Sequence, residues 1–279
     1  MKVTFITPHV GRKSASEYVR TWQMEPLPIA TLAGLTPDDV EIAYYDERVE
    51  RVDFDAPTDL AAITVETYTA KRAYEIAREY HERGIPTVLG GYHVTLVPEE
   101  AAQYADSIVV GFAEPLWETV VRDCERGAMK RRYTQDRSVP YEYVMPRRDI
   151  FGKRPYFELS CIETGRGCPL RCNFCSIAAA TSSTYNARPV SGIVGDIERL
   201  KHRNVFFVED NFVGNLKRNI PTSRLESSRW RLCNRILCLC TRCRLATNTK
   251  LHLMCETATF RNSRSMSRQE MEYLCEWLY

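Results

Sequence analysis

The chain has 279 residues, of which 44% are hydrophobic and 27% charged, and its formal net charge is +2. This length suits one large domain or two ordinary ones, and the composition excludes intrinsic disorder. The small net charge gives no reason to expect nucleic acid as a partner, and the sequence lacks the run of about 18 apolar residues that a transmembrane helix needs. Because the first residues, MKVTFITPHV, are typical of a strand and not of a signal peptide, we expect a cytoplasmic protein.

Strand and helix signals alternate over residues 1–130. The clearest helix begins at Ala70, shows apolar residues at helical spacing through Tyr80 and ends at Gly84. Such alternation predicts a parallel sheet covered by helices, that is, a Rossmann-like doubly wound α/β domain with five strands. The other predicted elements are strands at Val3–Thr7, Glu41–Tyr45, Leu60–Val65, Pro86–Leu89 and Ser107–Val110, and helices at Leu27–Leu35, Pro98–Tyr104 and Pro115–Arg126.

Two glycine-containing loops follow the fourth and fifth predicted strands. The first holds Gly90, Gly91 and His93, and the second begins at Gly111. Ligands of doubly wound domains bind beyond the carboxyl ends of the strands, and glycine lets a ligand approach the backbone closely. We therefore take these four residues as candidate cofactor contacts. The alternatives are plain turn geometry for the glycines and a hydrogen-bonded loop histidine for His93.

A polar, proline-punctuated segment at 131–155 is predicted to be a linker. Beyond it a second alternating unit begins at Tyr156–Glu163, followed by a cysteine-containing loop, a helix at Val190–Lys201 and a strand at Asn204–Glu209. The order of these elements again favours parallel strands joined by helices.

Cys168, Cys172 and Cys175 lie in the sequence GRGCPLRCNFCSI with C-x3-C-x2-C spacing. Three thiolates on one loop can converge on a soft metal centre, and a [4Fe–4S] cluster held by three cysteines keeps one iron open for an outside ligand. Zinc is the alternative, but structural zinc sites have four protein ligands, and the nearest extra candidate is Cys161 on the preceding strand.

At this point the chain resembles the radical S-adenosylmethionine (SAM) enzymes. The motif C-x3-C-x-aromatic-C, with Phe174 as its aromatic residue, is similar to their cluster loop, and the resemblance covers roughly residues 1–219. It implies a [4Fe–4S] cluster on Cys168, Cys172 and Cys175, SAM bound to the open iron, and reductive cleavage to a 5′-deoxyadenosyl radical. It also implies that Phe174 packs near the adenine, and that Glu209, Asp210 and Asn211 lie near the methionine moiety.

The flanking sequences ELSCIETGRGCPLRCNFCSI and VFFVEDNFVGN, with the Arg188–Pro189 step, resemble the subgroup that carries an N-terminal cobalamin-binding domain, such as the hopanoid-methylase-like enzymes. That likeness implies cobalamin as a methyl carrier, methylation of an unactivated carbon in a small-molecule or lipid substrate, and an electron donor such as flavodoxin or ferredoxin. The motif D-x-H-x-x-G, which supplies a cobalt ligand in many cobalamin domains, does not occur in this chain.

The last sixty residues differ from the rest in composition. Val, Ala, Asp, Glu and Gly, whose codons all begin with G, account for 84 of the first 219 residues and for 7 of the last 60, and six of the 11 cysteines lie after residue 219. Loss of a whole codon class indicates translation out of frame. A second metal site at Cys238, Cys240 and Cys243, or an Arg/Cys-rich nucleic-acid-binding module, are the alternatives.

Four segments follow from these patterns. They are a cobalamin-binding-like Rossmann domain (1–130), a linker (131–155), the N-terminal part of a radical SAM core that starts an incomplete (β/α) barrel (156–219) and an anomalous tail (220–279). The function predicted is that of a radical SAM methylase, with this chain an inactive truncation if the tail is out of frame. The alternatives are a non-catalytic Rossmann-like binding module with a vestigial cluster loop, and a Cys-rich zinc- or nucleic-acid-binding protein.

Overall fold

Six parallel strands form the principal sheet, in the order β2-β1-β3-β4-β5-β6. In this computed structural model residues 1–10, 23–136, 143–202, 204–210 and 235–238 are described. The α/β, Rossmann-like class predicted from the sequence is confirmed. The strands are β1 (Lys2–Thr7), β2 (Glu41–Asp46), β3 (Leu60–Thr64), β4 (Thr87–Gly90), β5 (Ser107–Val110) and β6 (Arg132–Thr134).

Short helices connect these strands and pack on both faces of the sheet. They are α1 (Leu27–Leu35), α2 (Ala70–Glu82), α3 (Tyr92–Leu96), α4 (Pro98–Ala101) and α5 (Trp117–Glu125). Ile6 lies in a buried cluster with the α2 residues Ala73 and Ile76, whereas the ring of its neighbour Phe5 lies 5.3 Å from that of Trp117. Since successive side chains of a strand point to opposite faces, α2 covers one face of the sheet and α5 the other.

The sequence predicted five strands, and the sixth is a difference that the structure adds. β6 lies in the segment predicted as a linker and pairs with β5, placing Tyr133 opposite Val109. Tyr133 is buried and donates a hydrogen bond to Asp123, 2.9 Å away. The strand has only three residues, of which Arg132 and Thr134 are exposed, so it is too short to give a recognisable alternation, and a charged exposed residue is typical of an edge strand.

The cysteine-bearing part of the chain is divided between two compact units. One comprises Met1–Pro155 and Arg171–Ser183, and the other comprises Tyr156–Leu170 and Thr184–Tyr279. In the first unit, α6 (Ser176–Thr181) follows the cysteine loop and packs against α3. The helix that begins beside Gly91 is therefore in contact with the helix that begins directly after Cys175.

The second unit contains a parallel sheet in the order β11-β10-β7 and an antiparallel pair, β8 with β9. Ile162, Ile193, Val205 and Phe207 form its buried core. These elements are β7 (Ser160–Ile162), β8 (Gly165–Gly167), β9 (Tyr185–Ala187), α7 (Val190–Glu198), β10 (Asn204–Phe207) and β11 (Arg235–Cys238).

β11 is a four-residue strand within 220–279, the segment that the sequence describes as an anomalous tail. Its backbone pairs in parallel with β10, Asn204 opposite Arg235. The remainder of the 220–279 segment, including the alternative metal ligands Cys240 and Cys243, lies outside the described residues. Closure of a barrel stays a prediction. Across the part of the chain that is described, no helix has the length and apolarity needed to cross a membrane.

Candidate functional site

The three motif cysteines lie on the loop between β8 and α6. Cys168 follows β8 directly and is 9% exposed, whereas Cys172 and Cys175 are partly buried. The backbone N–H of Cys175 donates to the carbonyl of Cys172 over 3.2 Å, which gives the second half of the loop a defined turn. All three are thiols and not half-cystines.

A donor set of three thiols fits an iron–sulfur cluster in its chemistry. Within the described ranges, no three His, Cys, Asp or Glu side chains are gathered as a metal-ion site. The convergence of the three cysteines on one cluster therefore stays a prediction. Phe174, between two of them, is 86% exposed, so its ring is available to a ligand, and its contact with adenine also stays a prediction.

The carboxylate of Glu209, two residues beyond the end of β10, contacts the turn between β7 and β8. Its Oε1 accepts hydrogen bonds from the backbone N–H of Thr164 and, at 3.2 Å, from that of Gly165. Oδ2 of the neighbouring Asp210 accepts the backbone N–H of Gly167 at 2.7 Å. Two of the three residues predicted to lie near SAM are thus brought against the backbone that leads into Cys168, while Asn211 lies outside the described residues.

Glu209 is also electrostatically distinctive. Burial raises the pKa of its carboxyl to about 7, although the hydrogen bonds from Thr164 and Gly165 act in the opposite direction. Its second oxygen, Oε2, is buried and has no hydrogen-bond partner among the described residues. A buried acceptor without a partner is costly and marks a site where a donor from a ligand would be accommodated.

Arg188 is hydrogen-bonded to the turn between β7 and β8. Its backbone N–H donates to the carbonyl of Thr164 at 2.9 Å, and its guanidinium donates to the carbonyl of Glu163 at 2.5 Å. The guanidinium is 1% exposed and is paired with the equally buried Asp196 on α7 at 3.4 Å. The basic–proline step noted in the sequence therefore anchors α7 to the turn that precedes the cysteines.

The glycines predicted as cofactor contacts have conformations that their own chain requires. Gly91 has φ +117°, and a Cβ there would lie 2.8 Å from the carbonyl oxygen of Val65. Gly111 has φ +91°, and a Cβ would lie 2.7 Å from the Gln135 side chain. A Cβ at Gly90 would lie 3.9 Å from Cβ of Val109, an ordinary van der Waals contact. The geometry of Gly91 and Gly111 is explained by packing, and their contact with a cofactor stays a prediction.

His93 is 8% exposed, and both of its ring nitrogens have partners. Nδ1 lies 3.3 Å from Thr67 Oγ1, and Nε2 lies 3.1 Å from Tyr74 Oη and 3.4 Å from Glu100 Oε1. This network joins the turn after β3 to α2 and α4. The hydrogen-bonded alternative given from the sequence describes the observed ring, and its role in binding a cofactor stays a prediction.

Sequence reasoning missed two features on the same edge of the sheet. Glu47 is 3% exposed and accepts hydrogen bonds from the guanidinium of Arg72 at 2.7 Å and the backbone N–H of His9 at 3.3 Å. Glu66, directly beyond β3 and Val65, is partly buried, and its carboxyl makes no hydrogen bond or ion pair with a described residue. The available signal was a charged residue directly after an apolar strand.

Cobalamin would have to fit at the carboxyl edge of the principal sheet, next to the glycine turns and Glu66. A Cβ at Gly91 or Gly111 would meet atoms of the chain itself, whereas the Glu66 carboxyl has no hydrogen-bond or ion-pair partner among the described residues. Burial raises the pKa of Glu66 to about 7. A partly buried carboxyl that no described residue pairs with is compatible with a neutral hydrogen-bonding group.

Known proteins with similar sequences are methyltransferases. The chain is 35% identical over 183 residues to bacteriochlorophyllide d C-8(2)-methyltransferase of Chlorobaculum tepidum, covering 63% of this chain and 41% of that protein. It is 28% identical over 200 residues to bacteriochlorophyllide d C-12(1)-methyltransferase of the same organism, and this match covers 67% of this chain and 44% of that protein. It is 24% identical over 205 residues to the hopanoid C-2 methylase of Rhodopseudomonas palustris, and this match covers 70% of this chain and 38% of that protein. The chain is a homologue of these methyltransferases.

This methyltransferase homologue spans less than half the length of each of those three relatives. No family model matches it. Its fold is similar to that of the radical SAM methyltransferase TsrM from Kitasatospora setae, whose structure was solved with tryptophan and the SAM analogue aza-SAM. The TM-score is 0.60 and the sequence identity 14%, and the match covers 99% of this chain and 65% of TsrM. The sequence comparisons thus confirm the predicted likeness to methyltransferases, including a hopanoid methylase, and the structural comparison shows a shared fold.

Proposed function

We propose that this chain carries the cluster loop and the SAM-binding edge of a radical SAM methylase that acts on an unactivated carbon. The observation that carries the proposal is the position of Glu209 and Asp210, which are hydrogen-bonded to the backbone leading from Thr164 into Cys168. A cysteine motif alone is a sequence pattern. The carboxylates beside it, of which Glu209 has a buried oxygen with no hydrogen-bond partner among the described residues, add a place for the amino group of SAM.

Each residue of the proposed site has a distinct role. Cys168, Cys172 and Cys175 would hold a [4Fe–4S] cluster, which supplies the electron for reductive cleavage of SAM when it is bound. The buried Oε2 of Glu209 would accept a hydrogen bond from the ammonium group of SAM. The exposed ring of Phe174 would pack on adenine, because a flat apolar ring is a suitable surface for a base.

Cobalamin is the second cofactor that we propose, and it supplies a methyl carrier when bound. The carboxyl edge of the principal sheet would hold it, beside Gly90, Gly91, His93 and Gly111. Contact between α3 and α6 supports this part of the proposal, because the glycine loop and the end of the cysteine loop meet within one compact unit. A carrier held there would lie close to the end of the cysteine loop, which belongs to the same unit.

The partners follow from this chemistry. Reductive cleavage needs one electron, so we propose a flavodoxin or ferredoxin as donor in the cytoplasm. The relatives methylate bacteriochlorophyllides or hopanoids, as their names state, and we propose a similarly apolar small molecule or lipid as the substrate class here. We do not expect nucleic acid among the partners, since the net charge is small.

Anaerobic iron–sulfur reconstitution of the full chain tests the cluster. We expect about four irons per chain and absorbance near about 400 nm, both lost in Cys172→Ala. Cys124→Ala is the matched control, because Cys124 is also partly buried but lies on α5, outside the motif. Stoichiometric zinc without visible absorbance would instead support the zinc-binding alternative.

Product analysis separates an enzyme from a binding module. The reconstituted chain is incubated with SAM and dithionite, and 5′-deoxyadenosine is measured by liquid chromatography. Nucleoside from the wild type and none from Cys172→Ala would identify the chain as an enzyme. A complete cluster with no nucleoside would favour the non-catalytic module, or the inactive truncation that an out-of-frame tail implies.

A further inference from the structure

The turn from β3 to α2 occupies a special position in the sheet. From β1 the chain passes to β2 on one side, whereas β3 pairs with β1 on the other side. In open α/β sheets, ligands bind at the point where the strand order reverses, beyond the carboxyl ends of the strands. Residues 66–69 leave the sheet at that point.

Pairing with β4 continues past the end of β3. The N–H of Val65 donates to the carbonyl of Gly90 at 2.8 Å, and the carbonyl of Val65 accepts the N–H of His93 at 3.1 Å. These two bonds clamp Val65 against the Gly90–Gly91 loop. Glu66, the next residue, therefore emerges beside the loop to which the sequence assigned the cofactor contact.

The backbone of this turn is fixed by its own threonines. Thr69 Oγ1 accepts the N–H of Glu66 at 3.0 Å and donates to the carbonyl of Glu66 at 3.1 Å. Thr67 Oγ1 is bonded to the His93 ring at 3.3 Å. The main chain and both threonines are thus engaged, which leaves the side chains of Glu66 and Tyr68 for a ligand.

These two side chains combine unlike properties. The Glu66 carboxyl is partly buried, and among the described residues nothing donates a hydrogen bond to it or pairs with it. Burial raises the pKa of this carboxyl to about 7, so a large fraction is the neutral acid near neutral pH. The Tyr68 ring, two residues on, is 61% exposed. An acid with a neutral form next to an exposed ring suits a ligand that has both an apolar face and neutral polar groups at its rim.

We propose that Glu66 binds a primary amide on the rim of the corrin ring, with the Tyr68 ring packed against the adjacent apolar edge of the macrocycle. The acid O–H would donate to the amide oxygen, and the acid carbonyl would accept the amide N–H. This inference rests on the proposed cobalamin cofactor. It assigns the contact at the sheet edge to a side chain and not to the Gly90–Gly91 backbone.

Binding titrations of the full chain test this inference without requiring activity. The probes are hydroxocobalamin and cobinamide, which keeps the corrin amides but lacks the nucleotide tail, and tryptophan fluorescence quenching reports binding. We expect Glu66→Ala to weaken the affinity for both probes about 10-fold, because two hydrogen bonds are lost. Glu66→Gln should stay within about threefold of the wild type, since an amide also pairs with an amide.

Controls separate binding from folding. Glu118→Ala, at an exposed position on α5, should leave both affinities unchanged, and thermal unfolding followed by circular dichroism identifies any variant that fails to fold. Glu66→Met keeps a similar side-chain length without a hydrogen-bonding group, so it should show the same loss of affinity as Glu66→Ala even if Glu66→Ala is unstable.

Each contrary outcome has a definite meaning. Equal affinities for the wild type and Glu66→Ala overturn the inference and leave the proposed cofactor intact. If Glu66→Ala loses affinity for hydroxocobalamin alone, the contact lies on the nucleotide tail and the inference is overturned. It is also overturned if Glu66→Gln loses as much affinity as Glu66→Ala. If the wild type binds neither probe, the cobalamin part of the proposed function fails as well, while the cluster assay still decides the radical SAM part.

Discussion

Glu209 joins the end of β10 to the backbone of Thr164, in the turn that precedes the cysteine loop. A strand end predicted to contact SAM and a loop predicted to hold the cluster are thereby connected through one carboxylate. Asp210 makes the same kind of bond to Gly167, directly before Cys168. These contacts lead us to expect that the carboxylates orient the loop as well as bind a ligand.

The effect of replacing Glu209 on cluster assembly should depend on whether the new side chain can accept the backbone hydrogen bonds of Thr164 and Gly165. Glu209→Ala leaves the N–H groups of Thr164 and Gly165 without an acceptor, which costs about 1–3 kcal/mol of unfolding free energy. We expect reconstituted iron to fall to less than about half, because the backbone before Cys168 loses its support. Glu209→Gln retains an acceptor oxygen and should stay close to the wild type. Unchanged iron content in Glu209→Ala would show that the bond does not orient the loop.

The site was partly predictable from the sequence, for a reason that lies in its chemistry. Cys168, Cys172 and Cys175 are close in sequence, so their spacing alone indicates a metal loop. Glu66 depends on contacts between separate strands: its environment arises because Val65 is clamped to Gly90. The pattern of residues along one sequence does not show which strands pair. A single charged residue after a strand therefore looks like an ordinary turn residue.

Gly91 should tolerate no side chain, because its backbone is both left-handed and crowded. Its φ is +117°, and an added Cβ would meet the carbonyl oxygen of Val65 at 2.8 Å. We expect Gly91→Ala to lower the unfolding free energy by about 2–4 kcal/mol in urea titrations. Gly84→Ala is the matched control: φ is +71° but the space is open, so about 1 kcal/mol is expected. Equal losses in the two variants would contradict the crowding argument.

The buried pair Arg188–Asp196 should behave as a unit. Both side chains are 1% exposed, so removing one partner leaves the other charge in a poorly solvated place. We expect Asp196→Ala to cost about 3–5 kcal/mol of unfolding free energy. The double variant Arg188→Met, Asp196→Leu should cost less than Asp196→Ala alone, because neither charge remains. If the double variant is the less stable of the two, the hydrogen bonds of Arg188 to the β7–β8 turn outweigh the charge effect.

The fold was predictable where elements are long or uniformly apolar. α1 was predicted at its observed limits of Leu27–Leu35, and α2 was found because apolar residues recur on one face from Ala70 to Tyr80. β6, β8 and β9 have three residues each, too few for a period, and each forms only by pairing with a distant segment. Tertiary pairing, and not local propensity, accounts for these misses.

Sequencing of the genomic locus should show a one- or two-nucleotide insertion or deletion near codons 216–220. The physical basis is compositional: no Val, Gly or Asp occurs after residue 214, although these residues are frequent before it. Translation of the corrected frame should restore G-initiated codons to about their earlier frequency and continue the alternation of strands and helices. A clean sequence without such a change would refute the out-of-frame interpretation and return Cys238, Cys240 and Cys243 to consideration as ligands.

Stability should fall as the pH rises from about 4.5 to 7, and Glu66 and Glu209 should account for part of that fall. Burial raises the pKa of each carboxyl from 4.5 to about 7, so the folded chain binds more protons than the unfolded chain in this window. Each ionisation on raising the pH therefore disfavours folding, by on the order of 1 kcal/mol once partial solvation is allowed for. Urea titrations at several pH values should show a flatter dependence in Glu66→Gln and Glu209→Gln, and an additive effect in the double variant. Glu118→Gln, at an exposed position on α5, is the control and should leave the pH dependence of the unfolding free energy unchanged. If the unfolding free energy of the wild type instead rises with pH in this window, in parallel with both glutamine variants, the raised pKa values of Glu66 and Glu209 are contradicted.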